Sequence, residues 1–209
     1  MALKANLVTD PNLLVVDDAT GILDLENIFG CLTAVELEIG SGKGAFLLQM
    51  AKAFPERQFI GIEWANAYAA YAADRFRRHG HKNVRIVGAE ALWWIRVHLA
   101  DASMNALHVY FPDPWPKSRH HKRRLIQKPF LLQAMRILKP GAPLYIVTDH
   151  AEYFEHMRQT LTDFGQFLIE PFVSPLQVVG GNFLVGTNFE KKYAAEKRPF
   201  YSLIARKPQ

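Results

Sequence analysis

The chain has 209 residues, 49% apolar and 22% charged, with 25 Lys and Arg against 20 Asp and Glu for a net charge of +5. That apolar share suffices for a sizeable core within one compact domain and excludes a disordered chain, while the basic excess favours a polyanionic partner without naming one. The single cysteine, Cys31, excludes an intrachain disulfide framework and a cysteine-based zinc site; set among Ile28, Phe29, Gly30 and Leu32, it reads as a buried, inert thiol in a reducing compartment.

The first twenty residues carry Lys4, Asp10, Asp17 and Asp18 rather than a basic end followed by an apolar block, so no leader is expected. No stretch approaches the roughly 18 to 20 apolar residues of a membrane span; the expectation is a cytoplasmic protein with no membrane partner. Residues 1 to 34 give weak signals and receive no role. From Val35 onward, β-rich runs alternate with helical patterns. Strands are expected over Val35 to Ile39, Gln58 to Ile62, Val84 to Val87, Ala106 to Phe111, Pro143 to Thr148 and Phe200 to Ala205, and helices over Ala45 to Ala53, Asn66 to Arg78, Ala91 to Leu99, Lys128 to Leu138 and Ala151 to Phe164. The alternation predicts a doubly wound α/β fold, a mostly parallel seven-stranded sheet with helices on both faces, in one domain spanning 1–209. Residues 171–199 are rich in Gly, Pro and Asn without a clean period, and read as a long substrate-binding loop or insertion before the last strand.

The run Glu38-Ile39-Gly40-Ser41-Gly42-Lys43-Gly44-Ala45 is a strand entering a glycine-rich turn that opens a helix, where the backbone can approach a nucleotide-type cofactor closely. Gly40, Gly42 and Ala45 also fit the dinucleotide fingerprint, so the glycines alone do not separate a methyl donor from a nicotinamide. Glu38 favours the former: a carboxylate there repels a pyrophosphate but attracts the sulfonium and ammonium of S-adenosylmethionine. Glu63, ending the second strand, suits two ribose hydroxyls. Glu90, after the third strand, suits an adenine amino group, and equally a helix N-terminus.

Phe111-Pro112-Asp113-Pro114-Trp115-Pro116-Lys117 follows the fourth strand, at the sheet edge where such folds bind ligands. Its prolines stiffen the loop and hold Asp113. The block His120-His121-Lys122-Arg123-Arg124, with Lys117 and Arg119 just before it, suits nucleic-acid phosphates. The two histidines find no further Cys or His at metal-site spacing, so no metal is expected. Lys191, Lys192, Lys197 and Arg198, interleaved with Phe189, Tyr193 and Phe200, suit a grip on RNA backbone and a stacked base. One of Phe200 and Tyr201 is expected in the core. Trp93, Trp94, Tyr68 and Tyr71 read as core or surface packing rather than stacking platforms.

These motifs together with Gly61-Ile62-Glu63, Thr148-Asp149 and Thr187-Asn188-Phe189-Glu190 are similar to those of the bacterial tRNA (guanine-N7)-methyltransferase family, often called the TrmB family, and the resemblance runs from about Val35 to the C-terminus. It implies a Rossmann-like, class I S-adenosylmethionine-dependent methyltransferase that forms 7-methylguanosine in the tRNA variable loop, acting as monomer or homodimer. By that resemblance, Glu38, Gly40, Gly42, Glu63, Glu90 and Asp113 line the cofactor pocket, with Asp113 catalytic. Lys117, Asp149, Thr187, Asn188, Phe189 and Glu190 would bind the tRNA. The chain departs from the family at Glu90, where Asp, one methylene shorter, is usual. An N-terminal tRNA-contacting extension, present in longer relatives, is expected to be short or missing.

Guanine N7 carries an sp2 lone pair and no proton, so the reaction needs positioning more than a general base. Asp113 is expected to stabilise the charge growing on the base or to hold base and donor in line, and Glu190 to accept from guanine N1–H and its amine. Three rivals remain. A DNA amino-methyltransferase would match Asp113-Pro114 only in part, a nicotinamide oxidoreductase leaves Glu38 unexplained, and a non-enzymatic RNA-binding module leaves the glycine turn without work.

Overall fold

Strands covered on both faces must be apolar along their whole length, and those at the centre of this molecule are. In the computed structural model, which describes residues 10–16, 20–30, 33–176 and 184–209, β2 (Val35–Ile39) and β5 (Ala106–Tyr110) are buried at every position. The sheet contains β1 (Leu13–Leu14), β2, β3 (Gln58–Glu63), β4 (Val84–Gly88), β5, β6 (Pro143–Thr148), β7 (Leu168–Glu170) and β8 (Tyr201–Arg206), in the order β1-β4-β3-β2-β5-β6-β8-β7. All pairs are parallel except β6 with β8 and β8 with β7. The direction of winding reverses between β2 and β5, and ligands in such folds bind in the crevice at the carboxyl ends of the strands there.

Alternation along the strands sorts two cores. Leu37, Ile60, Leu107 and Ile146 pack with Trp94, Phe130 and Tyr153 from α4 (Ala91–His98), α5 (Lys128–Ile137) and α6 (Ala151–Phe164). Phe59, Tyr110 and Val147 pack with Phe46, Met50 and Phe76 from α2 (Ala45–Ala53) and α3 (Asn66–Arg78). Gly44 permits that second arrangement: it adopts φ +69°, and a Cβ there would lie 2.5 Å from the Phe76 ring. Pro129 stands in the first turn of α5, where its missing N–H costs nothing, and Gly165 ends α6 in the left-handed region.

The α/β expectation holds, with one correction: the sheet has eight strands rather than seven. Beyond the six strands read individually from the chain, β1 and β7 lie at the sheet's two edges, where their two and three residues are too short to display a period. Two half-exposed elements also emerge from regions without a clear pattern. One is α1 (Leu25–Phe29), which Asp24 caps by accepting from the Asn27 N–H at 3.0 Å. The other is α7 (Asn188–Ala195), inside the segment expected to be loop. Cys31 and residues 177–183 of that segment lie outside the described residues. Trp94 is fully buried as expected. Phe200 and Tyr201 share the load instead of dividing into core and surface: both are half-buried, Phe200 against Phe111 and Tyr201 stacked on Phe154.

Candidate active site

The carboxyl ends of β2, β3 and β5 converge on the glycine turn. Glu38 is 3% exposed, and its Oε2 is buried without a hydrogen-bond partner. Burial, assisted by the negative charge of Glu63, pushes its carboxyl up to about 8. A lone buried carboxyl oxygen is costly unless something meets it. Beside it Gly40 and Gly42 stand at φ +78° and +52°, and a Cβ on either would project into open space. The turn thus offers bare backbone and an unsatisfied acid to whatever enters, and a sulfonium or ammonium group satisfies both conditions.

Glu63 closes the turn from the next strand: its carboxylate accepts from the Gly42 N–H at 2.8 Å and from the Ala65 N–H at 2.9 Å. It is half-buried and sits where β3 ends, so it shapes the turn while keeping lone pairs for ribose hydroxyls. Gly61 lets these strands close up, since a Cβ there would meet Ser41 Oγ at 2.6 Å. Glu90 is the N-cap of α4 and accepts from the Leu92 and Trp93 N–H groups at 3.0 and 2.6 Å. Of the two expectations for Glu90, this geometry displays the helix cap.

The proline-rich loop leaves β5 through a left-handed bend. Phe111 and Trp115 adopt φ +51° and +44°, a conformation that costs a bulky side chain energy and persists only where its surroundings enforce it. Phe111 is held by rings: Tyr193 and Phe200 at 5.7 and 5.5 Å, edge-on, and Phe189 at 6.5 Å. Trp115 lies under the Arg123 guanidinium at 4.9 Å and edge-on to His120 at 5.8 Å. Between these strained residues Asp113 is exposed, presenting its carboxylate outward at the edge of the crevice.

Sequence reasoning treated the basic block as one unit, and the structure divides it. Lys122 and Arg123 are exposed on a 3-10 helix, Ser118–Arg123. Arg124 is 3% exposed, bound to the Glu152 carboxylate at 3.0 and 2.5 Å and to the Pro114 carbonyl at 2.9 Å, over the Tyr153 ring. It is therefore not available to phosphates; it anchors the loop. This pairing, missed in the sequence, joins residues 28 apart with no local pattern to announce it.

Glu190 is also engaged within the fold. It is 2% exposed, and its carboxylate accepts from the backbone N–H groups of Leu184, Val185 (2.9 Å) and Gly186 (2.7 Å). Three of its acceptor sites are thus taken by backbone, and its burial keeps what remains from a guanine edge in this conformation. Thr187 caps α7 by accepting from the Glu190 N–H at 3.0 Å. The pair Thr187-x-x-Glu190 is a capping-box signature that could have revealed this helix; here the glutamate reaches three upstream amides instead of the cap. Asn188 and Phe189 are exposed, Phe189 at 49%. Asp149 is half-buried and ion-paired to Arg198 at 2.8 Å. Lys117 is exposed at the start of the 3-10 helix. So Lys117, Phe189 and Asp113 present themselves outward, whereas Thr187 and Glu190 are buried and hydrogen-bonded to backbone in this conformation.

Strand order, reversal point and glycine turn define the class I methyltransferase fold. Residues 33–203 match the family described as "Putative methyltransferase". The chain is 41% identical over 140 residues to a tRNA (guanine-N(7)-)-methyltransferase of Nitrosomonas eutropha, a match that covers 67% of this chain and 62% of that relative. It is 32% identical over 205 residues to the tRNA (guanine-N(7)-)-methyltransferase of Geobacillus kaustophilus, covering 98% of this chain and 94% of that one. Among solved structures, a SAM-dependent methyltransferase from Aquifex aeolicus superposes with a TM-score of 0.57 at 19% identity, over 88% of this chain and 90% of that one, which establishes the shared fold. The chain belongs to the tRNA (guanine-N(7)-)-methyltransferase family.

Proposed function

We propose that this protein transfers the methyl group of S-adenosylmethionine to N7 of a guanine in tRNA, in the variable loop, forming 7-methylguanosine. The observation that carries this reading is Glu38: a buried carboxyl with an unpartnered oxygen, beside two glycines that face open space, in a chain of this family. The residues fit the donor. Glu38 would meet its cationic groups, Gly40 and Gly42 would admit its close approach, and Glu63 would take the ribose. Bound there, S-adenosylmethionine supplies an electrophilic methyl group. Asp113, on a strained loop beside it, contributes negative charge where the methylated base becomes cationic, and abstracts no proton because N7 has none. Lys117, Lys122 and Arg123 lie near enough in sequence to this loop to hold tRNA phosphates. tRNA as partner and the cytoplasm as place of action belong to the same reading.

The test is to incubate the protein with unmodified tRNA transcripts and labelled S-adenosylmethionine, digest the RNA and identify the nucleosides by mass spectrometry. Labelled 7-methylguanosine, lost with Asp113→Ala, is the expected result. Any other labelled nucleoside overturns the N7 assignment, and absence of donor binding overturns the role of Glu38.

A further inference from the structure

On the β3 side of the glycine turn, away from the proline-rich loop that follows β5, three aromatic rings stand uncovered. Trp64 is 74% exposed, Tyr68 48% and Tyr71 47%. The three-residue spacing of Tyr68 and Tyr71 sets them along one line of α3, away from the face that Ala69, Ala72, Ala73 and Phe76 bury, while Trp64 lies in the approach to the helix. Lys43, at the tip of the glycine turn, places its ammonium 5.6 Å from the centre of the Tyr68 ring and 5.5 Å from that of Tyr71. Arg75, one turn past Tyr71, continues the line and bonds the Lys43 carbonyl at 3.2 Å. The one acid on this helix, Asp74, is engaged by Arg77 and Arg78. Among the described residues no carboxylate pairs with Lys43 or Arg75.

We infer that this stripe is a second RNA-contacting surface, on which unpaired nucleotides of the substrate stack against Tyr68 and Tyr71 while Lys43 and Arg75 hold the adjoining phosphates. The inference rests on the RNA-methylating reading above and extends it to a surface that reading does not use. Exposed aromatic rings beside cations that no carboxylate pairs are the composition of a single-strand platform, which accepts any base, and Lys43 would shift from the rings to a phosphate as a base stacks. A protein partner is disfavoured by Lys43, which sits between the two tyrosines, since lysine is depleted at protein interfaces while a polyanion seeks it. The position matters as well: the stripe and the proline-rich loop flank the cofactor turn from opposite sides, so an RNA segment held at both would straddle the site.

The experiment uses the full chain and a tRNA transcript substituted with 4-thiouridine. After irradiation, the wild-type protein is digested and the cross-linked peptide identified. The steady-state constants are then measured for the double variant Tyr68→Leu, Tyr71→Leu and for the double variant Tyr68→Phe, Tyr71→Phe. Trp64 is left in place because it adjoins Glu63. The expected result is a cross-link within residues 64–75, a KM for tRNA raised about fivefold or more for each ring removed, kcat within twofold, and wild-type behaviour for the Phe pair. Cross-links confined to other segments, or an unchanged KM for the Leu pair, overturn the inference. So does a wild-type dimer, seen by light scattering, that the Leu pair dissociates with RNA binding unchanged, since the stripe would then be an interface between copies. Cross-linking at the stripe without any 7-methylguanosine leaves this inference standing and removes the proposed function.

Discussion

Arg124 and Glu152 form a two-pronged pair whose third arm reaches the reaction loop. The guanidinium meets both carboxylate oxygens, and its Nε holds the Pro114 carbonyl one residue beyond Asp113. Arg124 is the buried partner, while Glu152 is half open to water. Removing the arginine therefore frees the loop, and removing the glutamate leaves a charge in the core.

Arg124→Lys keeps the charge and loses the fork. Asp113 should then lose its position, and kcat should fall by about tenfold to a hundredfold, the range expected when a reacting group shifts by roughly an ångström. The affinity for S-adenosylmethionine, measured by calorimetry, should change less than threefold, because Arg124 does not border the glycine turn.

If Glu38 meets the donor as proposed, donor binding should depend on pH. Its carboxyl is raised to about 8 by burial and by Glu63, so at neutral pH the empty site holds mostly the protonated acid. A cation arriving beside Oε2 favours the carboxylate and expels the proton. Affinity should accordingly rise as pH increases towards 8 and level off above it. Calorimetry in buffers of different ionisation enthalpy should register proton release at pH 7 that vanishes in Glu38→Gln.

The same residue carries a stability cost with a defined sign. Because its folded value lies above the unfolded one, the free protein loses stability as pH climbs from about 4.5 to about 8. Glu38→Gln should raise the melting temperature of the ligand-free protein at pH 8 by roughly 5 °C or more, and by almost nothing at pH 4. It should weaken donor binding at pH 8 and change it little at pH 4, where the wild-type acid is itself protonated.

Glu190 is expected to act on stability rather than on base choice. Glu190→Ala leaves three buried N–H groups without an acceptor, and a loss of about 2–4 kcal/mol should appear in denaturant unfolding. The labelled product of any remaining activity should still be 7-methylguanosine. A change of methylated base would return the residue to the guanine edge.

Lys122→Ala with Arg123→Ala should reduce the slope of log affinity for tRNA against log salt by roughly 1–2, about one for each phosphate left without its cation. Adding Arg124→Ala should lower thermal stability and leave that slope where the double variant put it.

The interior of this fold is legible from the chain alone: α2, α3 and α6 occupy the expected residues without adjustment, because strong periods flanked by Gly and Pro leave little freedom. The site is legible where chemistry is local, as in Glu38 beside its glycines and Asp113 between its prolines. It is not legible where a side chain's role depends on distant partners. Arg124 shares its charge run with exposed neighbours, and only packing against Tyr153 and Glu152 withdraws it from solvent. Glu190 follows an ordinary helix start, and only the return of residues 184–186 over it consumes its oxygens. The Thr187-x-x-Glu190 box is readable, and with it α7; the tyrosines of α3 read as packing, and their exposure comes from the helix's rotation on the sheet.

Strand order also bears on synthesis. β2, near the middle of the sheet, is the first long strand to leave the ribosome, and its partner on one side, β3, with β4 beyond it, follows within the next fifty or so residues. A nascent chain of that length already owns Glu38, the glycine turn, Glu63 and Glu90, yet β2 keeps one bare edge until β5 arrives with Asp113 behind it. β6 in turn waits for β8, the last strand made. The residues proposed to hold the donor are thus translated well before the loop that would use it, and each intermediate length exposes a strand edge open to mispairing. A translational pause after β4 would lengthen the exposure of β2, and one after β6 that of its own unpaired side.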